Sequence, residues 1–274
     1  MTLEASKSFF DFAWRRFARI WPGYMLSALV IFVAMYALGF APYQRGLYDL
    51  AIAPFLWAPA LGGSYVSGVY WSLVVEIRFY ALIAVLYFGL GAQRFRWGWL
   101  AVTAVATALD TVYQPVAVHV FSSKYLPFFT WGIVFYRLWK GGADRLDAAL
   151  FVTALASLLW MWSDRDWGVL GVILAMPVLF GLFVAGRLQW LAHPALLFFG
   201  RISFALYLLH FEIPIALMAI LQAWSVPVLA GAVPAIAMVV GLATLQTYYW
   251  EEPAKNWLKT VYKTWAAGRT AGQA

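Results

Sequence analysis

One carboxylate, two guanidiniums and one imidazole stand out in this 274-residue chain. Glu76 lies in Trp71-Ser72-Leu73-Val74-Val75-Glu76-Ile77-Arg78-Phe79-Tyr80, inside an apolar run over residues 69–90 that is long enough to cross a bilayer. An ionisable group there costs about 2.5–3.5 kcal/mol on insertion scales, so it faces protein or water and tends to have a use. On a helix Ser72, Glu76 and Tyr80 fall at i, i+4 and i+8 and share a face. Arg78 points roughly 200° away from Glu76 and needs a different partner. Two uses stay open for Glu76: orienting hydroxyls or holding a partner cation, and serving as a polar lock between helices.

The guanidiniums belong to Phe12-Ala13-Trp14-Arg15-Arg16-Phe17-Ala18-Arg19-Ile20-Trp21-Pro22-Gly23-Tyr24. Arg16 and Arg19 sit at i, i+3 and project together from a helix, a pair that can grip a phosphate bidentately. The same charges also suit a simple anchor at the membrane surface. The imidazole is His210. Ser203, Tyr207 and His210 lie at i, i+4 and i+7, on one helical face, with Glu212 just beyond. A membrane histidine serves either as an interhelical hydrogen-bonder or as an acid–base group. A last polar cluster, Glu251-Glu252-Pro253-Ala254-Lys255, closes the final apolar run, and its proline is expected to stop that helix.

Composition fixes the setting for these groups. The chain is 64% hydrophobic and 11% charged, against about 25% charged in a soluble domain. It therefore reads as all-α, a polytopic transmembrane helical bundle. The apolar runs number about eight: residues 20–40, 69–90, 97–109, 125–139, 146–162, 167–185, 204–224 and 228–249. A short interfacial helix is expected within residues 47–57. Aromatic residues gather at run ends, as in Trp160/Trp162 and Tyr248/Tyr249/Trp250, and suit interfacial belts. There is no cysteine, and the three histidines, His119, His193 and His210, are too scattered to suggest a metal centre.

Charge sets the orientation. With alternating spans and a cytoplasmic N-terminus, fifteen of the nineteen Lys and Arg residues fall on one side. The other side receives only Arg45, Lys124 and Arg165, and Arg78 lies within a span. That asymmetry is the positive-inside pattern and places both termini in the cytoplasm. It also accounts for the net charge of +7 without nucleic acid as a partner.

The four polar stretches, in this order, resemble the acyltransferase-3 family of multi-pass membrane acyltransferases, which includes bacterial O-antigen and exopolysaccharide O-acetylases. The first match is Arg15, Arg16, Arg19, Ile20, Pro22 and Tyr24, followed by Trp71, Ser72, Leu73, Glu76, Phe79 and Tyr80. Gly200, Ser203, Tyr207, Leu208 and His210 come next, then Glu251 or Glu252, Pro253 and Lys255. The resemblance implies transfer of an acyl group, acetyl above all, from acyl-CoA to a hydroxyl of a saccharide or lipid-linked acceptor. It implies a bacterial inner-membrane location, with acyl-CoA as donor substrate and no bound cofactor. Arg16 and Arg19 match the Arg-x-x-Arg pair held to engage the donor, and Glu76 and His210 are the candidate catalytic residues.

In one respect the chain departs from the family. Members carry two further spans ahead of the Arg-x-x-Arg segment, the first with an Arg and then a His regarded as catalytic. Residues 1–6 resemble the connection that follows those spans. The expectation is one domain over residues 1–274, incomplete at its N-terminus, with a basic cytoplasmic tail at 254–274. On that expectation the fragment lacks the family's base unless His210 replaces it. A transporter or flippase for a small or lipid-linked molecule would also place charges such as Glu76 in the membrane. A non-catalytic remnant or partner subunit is the third reading.

Overall fold

The computed structural model describes residues 3–162 and 167–271, with side chains described as far as residue 266. Arg165 and residues 272–274 of the expected tail lie outside the described residues. All regular structure among the described residues is helical. Contacts divide the chain into two compact units. The first comprises Met1–Ala13 and Val75–His193, the second Trp14–Val74 and Pro194–Ala274.

Helix α1, Phe9–Ala37, begins eleven residues ahead of the expected span, so Pro22 is internal to it. The basic and aromatic stretch before Ile20 has ordinary helix formers and nothing to break the ladder. The interfacial helix appears as α2, Leu47–Ile52, followed by two short 3₁₀ turns.

The second and third expected spans are the two limbs of α3, Trp71–Val112. Between them Gly91 adopts φ 78° and ψ 158°, a conformation that only glycine holds without strain. The limbs fold back on each other there. Phe79 meets Trp99 edge-on at 5.6 Å and Tyr87 meets Phe95 at 5.6 Å. Residues 79 and 99 would be about 30 Å apart on a straight helix.

In the first unit, α4 (Leu126–Trp139) and α5 (Arg145–Met161) pack on these limbs, and α6 (Trp167–Val184) follows. Phe12, Ile83, Phe95, Trp99, Leu126 and Leu150 form its main core. The indole of Trp99 donates to Thr130 Oγ1 at 3.0 Å, so the buried ring leaves no orphan donor. Asp144 caps α5 by accepting from the amides of Leu146 and Asp147, and Asp147 reaches back to the Asp144 amide. The Arg96 guanidinium, hydrogen-bonded to Asp144, holds that exposed carboxyl well below the usual range.

In the second unit α7 (Pro194–Leu209) and α9 (Val228–Gln246) pack around Ile202, Ala205 and Ala243, and α8 (Glu212–Ala223) packs on α9. Two expectations are corrected here. The seventh span is not one helix over 204–224: α7 and α8 are bent by 70° at His210–Phe211. Glu212 holds the break, because its carboxylate is bonded to the loop ahead of α3 and not to its own helix. Pro253 also does not end the last helix. A π-helical turn, Thr247–Glu251, leads into α10, Glu252–Ala271, and Pro253 sits in the first turn, where its missing N–H costs nothing.

Among the described residues, four helices are long and apolar enough to cross a membrane, or up to five if the bent pair is one span. The folded-back α3 counts once in that number. At 14 and 17 residues α4 and α5 are shorter than the roughly 20 residues that a bilayer wants. Helix length alone therefore does not establish the expected count of eight.

Candidate functional site

In the second unit the start of α1 lies antiparallel to the end of the chain. Trp14 donates its indole proton to the carbonyl of Leu258 at 2.9 Å and stacks on Tyr262 at 5.9 Å. Further along, Trp250 donates to the Pro22 carbonyl at 2.8 Å. Gln246 then bridges the pair. Its Nε2 donates to the Gly23 carbonyl at 3.1 Å, to Ser27 Oγ at 2.8 Å and to Glu251 Oε1 at 2.8 Å. A Cβ on Gly23 would overlap the Glu251 carboxylate, so glycine lets that carboxylate lie against the helix backbone.

The two adjacent acids of the closing segment thus have different jobs. Glu251 faces α1. Glu252 takes a bidentate contact from Arg201 at 2.8 Å on both oxygens, and the Arg201 guanidinium lies 4.5 Å above the Tyr248 ring. Of the candidate donor residues, Arg16 is half-buried and Arg19 is exposed, both on the part of α1 that pairs with α10.

His210 stands at the break between α7 and α8. Its Nδ1 lies 2.7 Å from the Tyr207 carbonyl. A carbonyl only accepts, so a neutral His210 carries its proton on Nδ1 and keeps a lone pair on Nε2. His210, Tyr207 and Ser203 line a cleft of about 490 Å³ whose other walls are apolar: Leu206, Pro214, Ile236, Val239 and neighbours. Tyr207 donates to the Val69 carbonyl at 3.0 Å and is in short contact with Ser72 Oγ, which itself donates to Val69 at 3.0 Å. The helical face Ser203–Tyr207–His210 read from spacing is therefore a real surface, and it is tied to the Trp71-Ser72 stretch.

Beside the break Glu212 is 1% exposed. It accepts from Ser67 Oγ at 2.8 Å and from the Gly68 amide at 2.6 Å. Tyr70, two residues after Gly68, is buried edge-on against Tyr24 at 4.9 Å. Sequence reasoning placed Glu212 beyond the Ser203–Tyr207–His210 face without a role, and passed over Ser67 and Gln246. The available signal was a carboxylate two residues before Pro214, since proline and an acid mark a helix start.

Glu76 belongs to the first unit and His210 to the second. Glu76 accepts a short hydrogen bond from the Tyr80 hydroxyl, one turn on, as their shared face allows. Arg78 points elsewhere and finds its partners in the Val118 carbonyl at 3.2 Å and Ser122 Oγ at 3.5 Å.

A helical chain with long apolar helices, a broken helix and ionisable groups within its apolar segments is a multi-pass membrane protein. The sequence pattern of the acyltransferase-3 family, described as an acyltransferase domain, matches residues 2–248, and the chain belongs to that family. No curated protein and no solved structure matches it. Three of the four stretches that carry the resemblance meet within the second unit: Pro22–Gly23, Gly200–His210 and Glu251–Pro253, joined by the Trp71–Ser72 end of the fourth.

Proposed function

We propose that this membrane acyltransferase moves an acyl group, acetyl in the first instance, from acyl-CoA to a hydroxyl of a saccharide or lipid-linked acceptor at a bacterial inner membrane. The observation that carries the reading is the His210 geometry. The Tyr207 carbonyl holds the Nδ1 proton, which leaves Nε2 as a base on a side chain lining an apolar cleft. In the reaction the acceptor oxygen attacks the thioester carbonyl and the new C–O bond replaces C–S. The hydroxyl proton passes to His210 Nε2 and from there to the departing CoA thiolate. Arg16 and Arg19 hold donor phosphates through charge-assisted contacts. Glu76, held by Tyr80 within the first unit, is a separate candidate for binding an acceptor hydroxyl.

The test is CoA thiol release from acetyl-CoA by the full chain in nanodiscs, with an acceptor panel. His210→Asn keeps a donor for the Tyr207 carbonyl but has no base at the Nε2 position. It is expected to lower kcat about 10²–10⁴-fold while leaving the fold intact. Unchanged transfer would remove His210 from the chemistry. A transporter reading gains from the α7–α8 break, since discontinuous helices carry transport sites. Acceptor flipping by the same nanodiscs without thiol release would favour it.

A further inference from the structure

Helix α10 carries Lys255, Lys259 and Lys263 at i, i+4 and i+8, a single face that spans about 12 Å along the axis. Trp257, Val261 and Trp265, two positions on, make the opposite face, and all three are exposed. Leu258 and Tyr262 lie between the two and dock on Trp14 of α1. This docking brings Arg15 alongside the lysines. The charges that act on Lys259 are Lys255, Arg15 and Lys263, every one of them positive. Lys255 also lies in the field of Glu251 and Glu252. Lys259 and Lys263 form no ion pair among the described residues.

Like charges at helical i, i+4 spacing destabilise the helix that bears them. Here three are stacked and a fourth is supplied by a neighbouring helix, which is the arrangement an anion would relieve. The shape of the row says what kind of anion. α9, the π-turn and α10 continue as one 39-residue helical run, Val228–Ala266. The lysines therefore climb a helix that leaves the apolar segment and do not lie in a ring at one depth. A lipid headgroup presents its charge at one level, whereas a ligand with phosphates several ångströms apart matches a row.

We infer that the lysine face of α10, together with Arg15, is a polyphosphate site that takes the nucleotide end of the donor, its 3′-phosphate and diphosphate. This rests on the acyl-CoA reading above and extends it to Lys259 and Lys263.

The experiment measures binding of CoA, 3′-dephospho-CoA and adenosine 3′,5′-bisphosphate to the full chain in nanodiscs of neutral lipid. The proteins compared are the wild type and the pair Lys259→Gln/Lys263→Gln. The expected result is about tenfold weaker binding of CoA and of the bisphosphate in the pair, with a flatter salt dependence. Dephospho-CoA should lose less. Wild-type transfer with an unchanged KM for acetyl-CoA in the pair would overturn the inference and leave the proposed function standing. Bisphosphate binding that depends on the lysines in a protein without acyl transfer would support the site and count against the donor reading. A second set of nanodiscs carries anionic lipid; if the substitutions change only the difference between the two sets, a membrane surface is the occupant and the inference fails.

Discussion

Single residues in this protein are set apart by what they touch, and Glu251 and Glu252 are the clearest case. They are adjacent and chemically alike, so their spacing from Pro253 leaves open which one matters. The structure separates them by partner. Glu252 and Arg201 form an ion pair whose side chains are 33% and 51% exposed. Exposed pairs contribute about 0–1 kcal/mol. Glu251 is half-buried, and its loss removes the one charged acceptor of the Gln246 amide, which keeps Gly23 and Ser27. A hydrogen bond to a charged group contributes about 1.5–3 kcal/mol. Glu251→Ala should therefore lower the unfolding temperature in detergent distinctly more than Glu252→Ala does. Equal effects would mean that the inward contact contributes nothing. Arg78 and Glu76 show the part that was legible. Helical geometry alone separates them by roughly 200°, and each indeed has its own partner.

At the scale of elements, apolar runs of bilayer length were legible from composition, because every spanning backbone must satisfy itself as a helix. Breaks were not. Residues 204–224 are apolar throughout except at His210, Glu212 and Gln222, and no glycine interrupts them. What ends α7 is a bond between residues more than 140 positions apart, Glu212 with Ser67 and Gly68. No local pattern encodes that partner, although Glu212 and Pro214 together mark a helix start. Pro253 misleads: it lies in the first turn of a new helix instead of ending an old one. The break makes its own prediction. Glu212→Ala removes the acceptor for two donors and should cost about 2–3 kcal/mol. Glu212→Gln, which still offers one carbonyl oxygen, should cost less. Thermal unfolding of both variants decides it. An Ala variant as stable as the Gln variant would show that the bend is held by packing and not by the carboxylate.

Across the whole molecule the strongest sequence signal was charge asymmetry, and one structural feature bears on it. Trp14 reaches Leu258 and Tyr262, Gly23 lies against Glu251, and Ser27 bonds Gln246. Positions on α1 rise as their partners on α9 and α10 fall, so the two are antiparallel neighbours. The beginning of α1 and the length of α10 then lie at the same end of the second unit. That pairing agrees with an even number of crossings and with the basic residues of both segments facing the cytoplasm. Because the chain has no cysteine, its orientation can be read without background labelling. Thr264, Ala143 and Ser64 are exposed positions suited to single cysteine substitutions. In intact spheroplasts a membrane-impermeant maleimide is expected to label Ser64→Cys at once. Thr264→Cys and Ala143→Cys should react only after the membrane is opened. Labelling of Thr264→Cys from outside would reverse the orientation and move Arg16, Arg19 and the lysine face away from the compartment that holds CoA. In that event the donor site, the role of α10 and the direction of transfer would fall together. Labelling of Ala143→Cys alone from outside would instead mean that two crossings have been miscounted, one ahead of residue 143 and one after it, because Ser64 and Thr264 keep their sides; the pairing of α1 with α10 would stand.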